Sequence, residues 1–266
     1  MDMIRVAVTG ASGRMGMEVV RTVLDQPDME LVLAVDRNRH GEDIGTVIGR
    51  NPIDIQVQPR LLSKLLEETK PEVLVDFTVA MIAPEHALTA IEHGVRPVIG
   101  TSGIGKNSIT DIRLACSEHH TGALLVPNFA IGAVLMMSFA KQAARYFPDA
   151  EIIELHHDGK IDAPSQTAMR TAEVIAGSRQ GSARDFSGEQ LKLEGARGAE
   201  FGQVKIHSIR LSGLLAHQEV IFGGVGEVLT IRHDSLDRKS FMPGVMLAIR
   251  KVREIEGLVV GLDQVL

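Results

Sequence analysis

The sequence predicts an α/β protein, with a doubly wound parallel sheet in the first half and a second α+β domain built on an open mixed β-sheet. Two observations lead to this expectation. In the first half, short apolar runs alternate with helix-like segments of about ten to fifteen residues, which is the pattern of βαβ units. In the second half, strand-like segments cluster around a single helical segment, which favours a mixed or antiparallel sheet.

Length, charge and composition restrict the class of protein. The chain has 266 residues, which is just under two domains at roughly 150 residues per domain. Hydrophobic residues make up 44% and charged residues 23%, which excludes wholesale disorder. A net charge of −6 and only 3% aromatic residues argue against a nucleic-acid partner, because such binding needs a basic groove and stacking rings.

The sequence also bears on the compartment. No apolar run approaches the roughly 18 residues of a membrane span, and the N-terminal residues lack the pattern of a signal peptide. The single cysteine, Cys116, cannot form an internal disulfide, so a reducing compartment is the simplest interpretation. We therefore expect a cytoplasmic protein with no membrane partner.

The first half contains five predicted strands and five predicted helices. Apolar runs rich in β-branched residues predict strands at 4–9, 30–35, 73–77, 97–100 and 123–126. The intervening and following segments predict helices at 14–25, 61–68, 84–93, 108–119 and 131–146. Because βαβ crossovers are right-handed, this order predicts a Rossmann-type doubly wound sheet.

The second half has a different pattern. Strands are predicted at 151–157, 204–211, 218–223 and 227–232, with a helix at 165–176 and a tight glycine link at 224–226. Residues 178–203 are polar and glycine-rich without periodicity, so we expect a functional or mobile loop there. A final helix at 240–254 is expected to return to the first domain. The predicted domains are therefore residues 1–127 with 238–266, and residues 128–237.

A glycine-rich turn follows the first predicted strand and opens the first helix. Its G-x-x-G-x-x-G spacing is a variant of the dinucleotide fingerprint, in which Gly10 permits a tight turn, Gly13 lets a pyrophosphate approach the backbone, and Gly16 lets the helix pack on the strand. Asp36 ends the second strand, where an acid can accept hydrogen bonds from ribose hydroxyls. The adjacent Arg37 is suited to a 2′-phosphate. The sequence therefore predicts a site for NADH, NADPH or both.

The densest cluster of reactive side chains lies at 154–167. His156, His157 and Lys160 end a strand and enter a turn, and Ser165 fits the N-cap of the next helix, whose first amides would form a cradle for a carboxylate. This cluster predicts a small anionic substrate and a proton donor; the alternative is a capped helix beside a solvated polar turn. Adjacent strand residues point to opposite faces, so the two histidines are poorly placed to share a metal ion, and we expect none.

Several motifs together resemble one enzyme family. They are GASGRMG at 10–16, DFT at 76–78, GTSG at 100–103, NF at 128–129, ELHHDGKIDAPSQTA at 154–168 and AHQEVIFGGVGEVLTIRHDS at 216–235. The chain resembles the dihydrodipicolinate reductase (4-hydroxy-tetrahydrodipicolinate reductase) family over essentially its whole length. The histidine, lysine and DAPS block is far more specific than the glycine loop.

The resemblance implies an NAD(P)H-dependent reduction of a cyclic dicarboxylate imine to tetrahydrodipicolinate, with loss of water, in the diaminopimelate route to lysine. It implies that His156 is the proton donor and acceptor, that Lys160 also donates a proton, and that the substrate binds at His157, Gln166 and Thr167. It further implies cofactor positions in the loops after four strands, at Gly10, Ala11, Ser12, Gly13, Arg14, Met15, Asp36, Gly100, Thr101, Ser102, Val126, Pro127, Asn128 and Phe129. Members of the family are typically homotetramers built through the sheets of the second domain, and many accept both nicotinamide cofactors, so the resemblance implies a homotetramer that uses NADH, NADPH or both.

One residue departs from the family pattern. The family has D-A-P-S-G-T-A, and this chain has Gln166 in place of the glycine. A glutamine is tolerated if the cradle uses only the backbone amide, whereas it crowds the pocket if the glycine serves close approach of the substrate. This departure leaves open that the chain is an NAD(P)H-binding regulator or impaired homologue whose substrate pocket is altered at Gln166. A second alternative is a different oxidoreductase with the same two-domain architecture.

Overall fold

The computed structural model describes residues 3–61, 63–180, 188 and 190–266. The chain divides into two units, Met1–Phe129 with Phe241–Leu266, and Ala130–Ser240. The sequence-based boundaries, 127/128 and 237/238, differ from these by two or three residues. In chain order the elements are β1 (Ile4–Thr9), α1 (Arg14–Leu24), β2 (Met29–Val35), α2 (Ile44–Val47), β3 (Val57–Gln58), α3 (Ser63–Thr69), β4 (Val73–Asp76), α4 (Ala83–Glu92), β5 (Arg96–Ile99), α5 (Lys106–Glu118), β6 (Gly122–Leu125), α6 (Ile131–Ala143), β7 (Asp149–His156), α7 (Gln166–Ser178), β8 (Ala199–Phe201), β9 (Val204–Arg210), β10 (Ala216–Gly224), β11 (Glu227–Ser235), α8 (Met242–Lys251) and β12 (Gly257–Val260).

The first unit is built on a seven-stranded sheet in the order β12-β6-β5-β4-β1-β2-β3, and all neighbouring strands are parallel. The middle strands are buried along nearly their whole length, as expected for strands covered by helices on both faces. β1 has β2 on one side and β4 on the other, so the strand order reverses there. Crevices at such a switch point, at the carboxyl ends of the strands, are where open α/β sheets bind ligands.

The five strands predicted for this half are confirmed to within one residue at each end. Three short elements were not predicted: α2, β3 and β12. The predicted helix at 240–254 is a 3-10 turn, Arg238–Phe241, followed by α8 and a second 3-10 turn, Val252–Glu254. Both α8 and β12 belong to the first unit, and β12 pairs with β6.

The second unit is built on a five-stranded sheet in the order β11-β10-β7-β9-β8. β7 and β9 are parallel and the other pairs are antiparallel, which confirms the predicted mixed sheet. Its core forms where α6 and α7 pack on the sheet, and the buried members include Met136, Ala140, Ile152, Ala172, Ile175, Val220 and Phe222.

The predicted loop at 178–203 contains one strand that the sequence pattern did not predict. β8 pairs antiparallel with β9, and all three of its residues are exposed, so it carries no apolar alternation. Residues 181–187 and 189 lie outside the described part of the chain. No helix within the described ranges is long and apolar enough to cross a membrane.

Candidate functional site

The glycine loop between β1 and α1 leaves no room for side chains at two of its three glycines. Gly10 has a φ of 74°, and a Cβ there would lie 2.6 Å from the carbonyl oxygen of Phe77. A Cβ on Gly16 would lie 1.9 Å from the carbonyl oxygen of Gly10. Gly13 is the N-cap of α1 and has no side-chain cap. The first turn of α1 therefore presents backbone amides and the positive end of its dipole.

Asp36, directly after β2, is hydrogen-bonded to the glycine loop. Its Oδ2 atom accepts a hydrogen bond from the Ser12 amide at 3.0 Å, and its Oδ1 atom accepts one from the Asn38 amide at 2.9 Å. Asp36 lines a cavity of about 510 Å³ together with Gly10, Gly13 and Arg37. The cavity thus combines a glycine turn, a carboxylate and a guanidinium, which suit a pyrophosphate, ribose hydroxyls and a 2′-phosphate respectively.

A second cavity in the same unit has a volume of about 450 Å³ and joins two of the predicted cofactor loops. It is lined by Gly13, Arg14 and Met15 from the start of α1, by Gly100, Thr101 and Ser102 after β5, and by Phe77, Thr78, Val79 and Ala80 after β4. The structure therefore brings together the carboxyl ends of β1, β4 and β5. The Phe77–Ala80 segment was not among the predicted cofactor residues.

The predicted residues after β6 occupy a different place. Val126 and Phe129 are buried, Pro127 is exposed, and none of Val126–Phe129 lines the two cavities described above. The Phe129 ring lies against the Phe77 ring with centroids 5.4 Å apart. A Cβ on Gly100 would lie within 2.4–2.8 Å of these two rings. Phe129 therefore helps to fix the position of Gly100 after β5, through its contact with the Phe77 ring.

Asp76, at the carboxyl end of β4, connects these loops. Its side chain is buried and accepts hydrogen bonds from the hydroxyls of Thr9, Thr78 and Thr101 at 2.6–3.0 Å. His86 Nδ1 lies 2.8 Å from its Oδ2 atom. Burial alone would raise the pKa of Asp76, but the hydrogen bonds, led by the one from His86, together lower it below its usual value. Asp76 was not among the predicted site residues; the signal that could have identified it is a carboxylate at the end of an otherwise apolar strand.

In the second unit, His156 ends β7 and is held by a buried carboxylate. Its Nδ1 atom lies 2.5 Å from Oε2 of Glu154, which is fully buried. Arg210, on the neighbouring strand β9, donates to both carboxylate oxygens at 2.9 and 2.8 Å. An ionised carboxylate only accepts hydrogen bonds, so Nδ1 carries a hydrogen and Nε2 is the atom left to exchange a proton.

The buried carboxylate of Glu154 is ionised over a wide pH range. Burial raises its pKa, but hydrogen bonds from His156, Arg210 and Ser208 outweigh burial and bring the pKa to about 2, below its ordinary 4.5. A carboxyl whose folded pKa is depressed stabilises the fold above its unfolded pKa, and this contribution is lost as the pH falls through the folded pKa.

We therefore expect the free energy of unfolding to decrease between about pH 4.5 and pH 2, by on the order of 3 kcal/mol from Glu154 alone. Denaturant unfolding at a series of pH values measures this slope. The Glu154→Gln variant has no carboxyl to protonate there and is expected to show a shallower slope. Identical slopes in the two proteins would contradict the assignment.

The turn after β7 carries the predicted lysine, and the helix after it has the predicted cap. Lys160 Nζ lies 2.7 and 2.9 Å from the two carboxylate oxygens of Asp162. The Ser165 hydroxyl accepts from the Ala168 amide at 3.2 Å, which confirms Ser165 as the N-cap of α7. Gln166 is the first residue of α7, is exposed and has an ordinary negative φ. Its backbone therefore needs no glycine.

Neither a metal centre nor a reactive thiol emerges from the described residues. No group of three or more His, Cys, Asp or Glu side chains suited to a metal ion occurs within the described ranges. Cys116 is buried in the first unit, and burial raises the pKa of its thiol to about 11. Its thiol is therefore protonated and unreactive at neutral pH.

Comparisons with known proteins cover both units. The family models described as "Dihydrodipicolinate reductase, N-terminus" and "Dihydrodipicolinate reductase, C-terminus" match residues 4–129 and 132–266. The 4-hydroxy-tetrahydrodipicolinate reductase of Listeria monocytogenes serotype 4b (strain F2365) is 51% identical over 99% of this chain and 100% of its own. That of Desulfitobacterium hafniense (strain DSM 10664 / DCB-2) is 49% identical over 100% of both chains.

Solved structures agree with these matches. The dipicolinate-bound dihydrodipicolinate reductase from Paenisporosarcina sp. TG-14 superposes with a TM-score of 0.88 and 45% identity, over 99% of this chain and 100% of that chain. An amine dehydrogenase from Mycobacterium smegmatis superposes with a TM-score of 0.70 at 14% identity, over 99% of this chain and 96% of that one. At that identity the second likeness concerns the fold alone.

Proposed function

Because the chain belongs to the dihydrodipicolinate reductase family, we propose that it reduces 4-hydroxy-tetrahydrodipicolinate to tetrahydrodipicolinate with a nicotinamide dinucleotide. The reaction consumes one hydride and one proton and releases one water. The observation that carries the proposal is the imidazole of His156, which lies four residues before Lys160. Its Nδ1 atom is held by the buried carboxylate of Glu154. Such an imidazole is oriented to deliver a proton from Nε2.

The first unit has the residues to hold the cofactor. Backbone amides at the start of α1 suit the pyrophosphate, and the Asp36 carboxylate suits ribose hydroxyls. The glycines Gly10 and Gly16 are required because a Cβ would collide with backbone atoms. When bound, the reduced nicotinamide supplies the hydride.

The second unit supplies the proton and the positive charge. His156 delivers a proton from Nε2 to the ring system that becomes electron-rich on reduction. The Lys160 ammonium stabilises developing negative charge and shares with His156 the delivery of the one proton that is consumed. The substrate carboxylates bind at His157 and at the start of α7, at Gln166 and Thr167. The related Paenisporosarcina structure contains dipicolinate, so we infer that the ligand of this chain is a small dicarboxylate.

The proposal is tested by supplying the purified protein with substrate made in the assay by the synthase that precedes it. Loss of the ultraviolet absorbance of NADH or NADPH is then followed separately. Oxidation that depends on the synthase supports the proposal, whereas tight cofactor binding without oxidation favours the regulator. The relatives with about 50% identity are reductases over their full length, which disfavours the regulator. The same assay on Gln166→Gly measures what that side chain contributes.

We propose that the enzyme uses both cofactors and that Arg37 binds the 2′-phosphate of NADPH. Arg37 is exposed and lines the 510 Å³ cavity beside Asp36. Replacing Arg37 with alanine removes the partner of the 2′-phosphate, so we expect KM for NADPH to rise about tenfold and KM for NADH to change little. Steady-state kinetics with each cofactor measure both values.

The matched control is Arg39→Ala. Arg39 lies two residues further on, forms an exposed ion pair with Glu42 and is not part of the cavity lining. The control is expected to leave both KM values unchanged. Equal losses for NADH and NADPH in the Arg37 variant would remove Arg37 from cofactor selection.

We also propose a cytoplasmic homotetramer assembled through the second-unit sheet. β11 is an edge strand of that sheet, and it exposes Val228 and Leu229. An exposed apolar edge of this kind favours pairing with another chain. Light scattering of the purified protein measures the assembly state, and a monomer in solution would contradict this part of the proposal.

A further inference from the structure

Glu154 occupies a core position of β7. On this strand Ala150, Ile152 and Glu154 are buried at alternate positions, and the first two belong to the apolar core under α6 and α7. The side chains of these alternate residues share one face of the sheet. A carboxylate there loses its hydration, which is costly unless every oxygen finds a donor. An apolar residue would fill the position without that cost, so the carboxylate calls for another explanation.

The partners of Glu154 lead to each part of the proposed substrate site. The first is direct, since Nδ1 of His156 lies 2.5 Å from Oε2. The second is the start of α7, since the Ser165 amide donates to Oε1 at 3.3 Å. The third is Arg210, which donates to both oxygens of Glu154.

Arg210 extends the connection to the lysine. Its Nη2 atom also donates to the backbone carbonyl of Asp162 at 2.6 Å. The side chain of Asp162 in turn binds Lys160 Nζ. The strand register places Arg210 directly beside His156, so its guanidinium has to reach back along the sheet to meet Glu154. One ion pair therefore connects the histidine, the lysine turn and the start of the helix.

We infer that Glu154, together with Arg210, is the positioning residue of the active site: it orients His156 for proton transfer and fixes the Lys160 turn and the start of α7 around the substrate. The inference rests on the proposed function, since it assigns a role in that same reaction. Glu154 itself does not exchange a proton with the substrate, because it is fully buried and its oxygens are occupied. It acts through His156 and Lys160.

The test compares two variants of the full-length protein in the coupled assay. Glu154→Gln keeps the shape of the side chain and removes its charge, but leaves the partly buried Arg210 without its counter-charge. The double variant Glu154→Gln with Arg210→Gln removes both charges of the ion pair, so neither partner is left with an uncompensated charge. In both, we expect kcat to fall about 10²-fold or more, while the dissociation constant for NADH, measured by fluorescence, is unchanged.

A purely structural role would not affect the proton-transfer step, so the solvent deuterium isotope effect on kcat is the second readout. Misorientation of His156 makes proton delivery slower than the other steps, so this isotope effect is expected to increase in both variants. Glu151→Gln is the matched control, because Glu151 lies on the same strand and also binds an arginine and a histidine, Arg197 and His207. This control is expected to keep the wild-type kcat and isotope effect.

Each outcome decides the inference. It is supported if both Glu154 variants lose kcat with a larger isotope effect and Glu151→Gln does not. It is overturned if kcat is unchanged, if the double variant regains wild-type kcat, or if Glu151→Gln loses as much activity. If the single variant does not fold, the double variant decides alone. Failure of the proposed function is seen separately, as absence of turnover in the wild-type protein.

Discussion

Replacing His156 with glutamine is expected to lower kcat by about 10²-fold or more and to leave the affinity for NADH unchanged. Glutamine is polar and of similar size, but its amide does not donate a proton in the way that the Nε2 atom of an imidazole does. The residues proposed to hold the cofactor belong to the first unit, whereas His156 belongs to the second. Steady-state kinetics and a fluorescence titration with NADH measure the two effects.

His217→Gln is the control for this experiment. His217 lies in the same unit and, like His156, binds a carboxylate through Nδ1, at 2.7 Å from Asp234. Its Nε2 atom accepts from the Leu215 amide, so both ring nitrogens are engaged within the fold. We expect this variant to retain kcat. An unaltered kcat in His156→Gln would remove His156 from the mechanism.

Replacing Asp76 with alanine is expected to lower the free energy of unfolding by about 3–5 kcal/mol and to weaken NADH binding. The substitution leaves the hydroxyls of Thr9 and Thr101 and the ring of His86 without their shared buried acceptor. The loops after β1 and β5 lose their connection at the place where they line the cavities. Denaturant unfolding and an NADH titration measure the two losses.

A graded series makes this prediction more specific. Asp76→Asn is expected to cost less than alanine, because Thr9 can turn its hydroxyl to the Val75 carbonyl, 3.4 Å away, and His86 can accept in its other tautomer. Asp28→Ala removes a partly exposed carboxylate paired with Arg250 in the same unit, and should cost about 1 kcal/mol or less. Equal effects of Asp76→Ala and Asp28→Ala would contradict the role assigned to Asp76.

The sequence predicted the elements whose signal is local. β1 is a short run dominated by buried apolar residues that ends at Gly10, and Ser165 is followed by a helix, so both were visible without tertiary contacts. β12 and β8 were missed because each is a strand only through its partner. β12 has four residues and pairs with β6, far earlier in the chain, whereas β8 is fully exposed and lacks alternation.

The same distinction applies to the candidate site. His156 and Lys160 stand close together in a dense polar block, so their chemistry could be predicted from residue types and from the family resemblance. The role of Glu154 depends on Arg210, which is 56 residues away in the chain. Asp76 likewise collects partners from separate loops. Such networks are set by strand order and register, which single-sequence patterns do not determine.

The position of β12 also has a consequence for how this protein is made. Residues 130–240 are contiguous, so the second unit contains every strand of its own sheet without any residue beyond 240. The sheet of the first unit is complete only when β12 has joined it, because β12 covers the side of β6 that otherwise stays open. Until then the buried, apolar β6 is a temporary sheet edge that invites pairing with other nascent chains. Removal of β12 therefore takes away four strand residues and also leaves β6 as an unpaired edge that can pair with other chains.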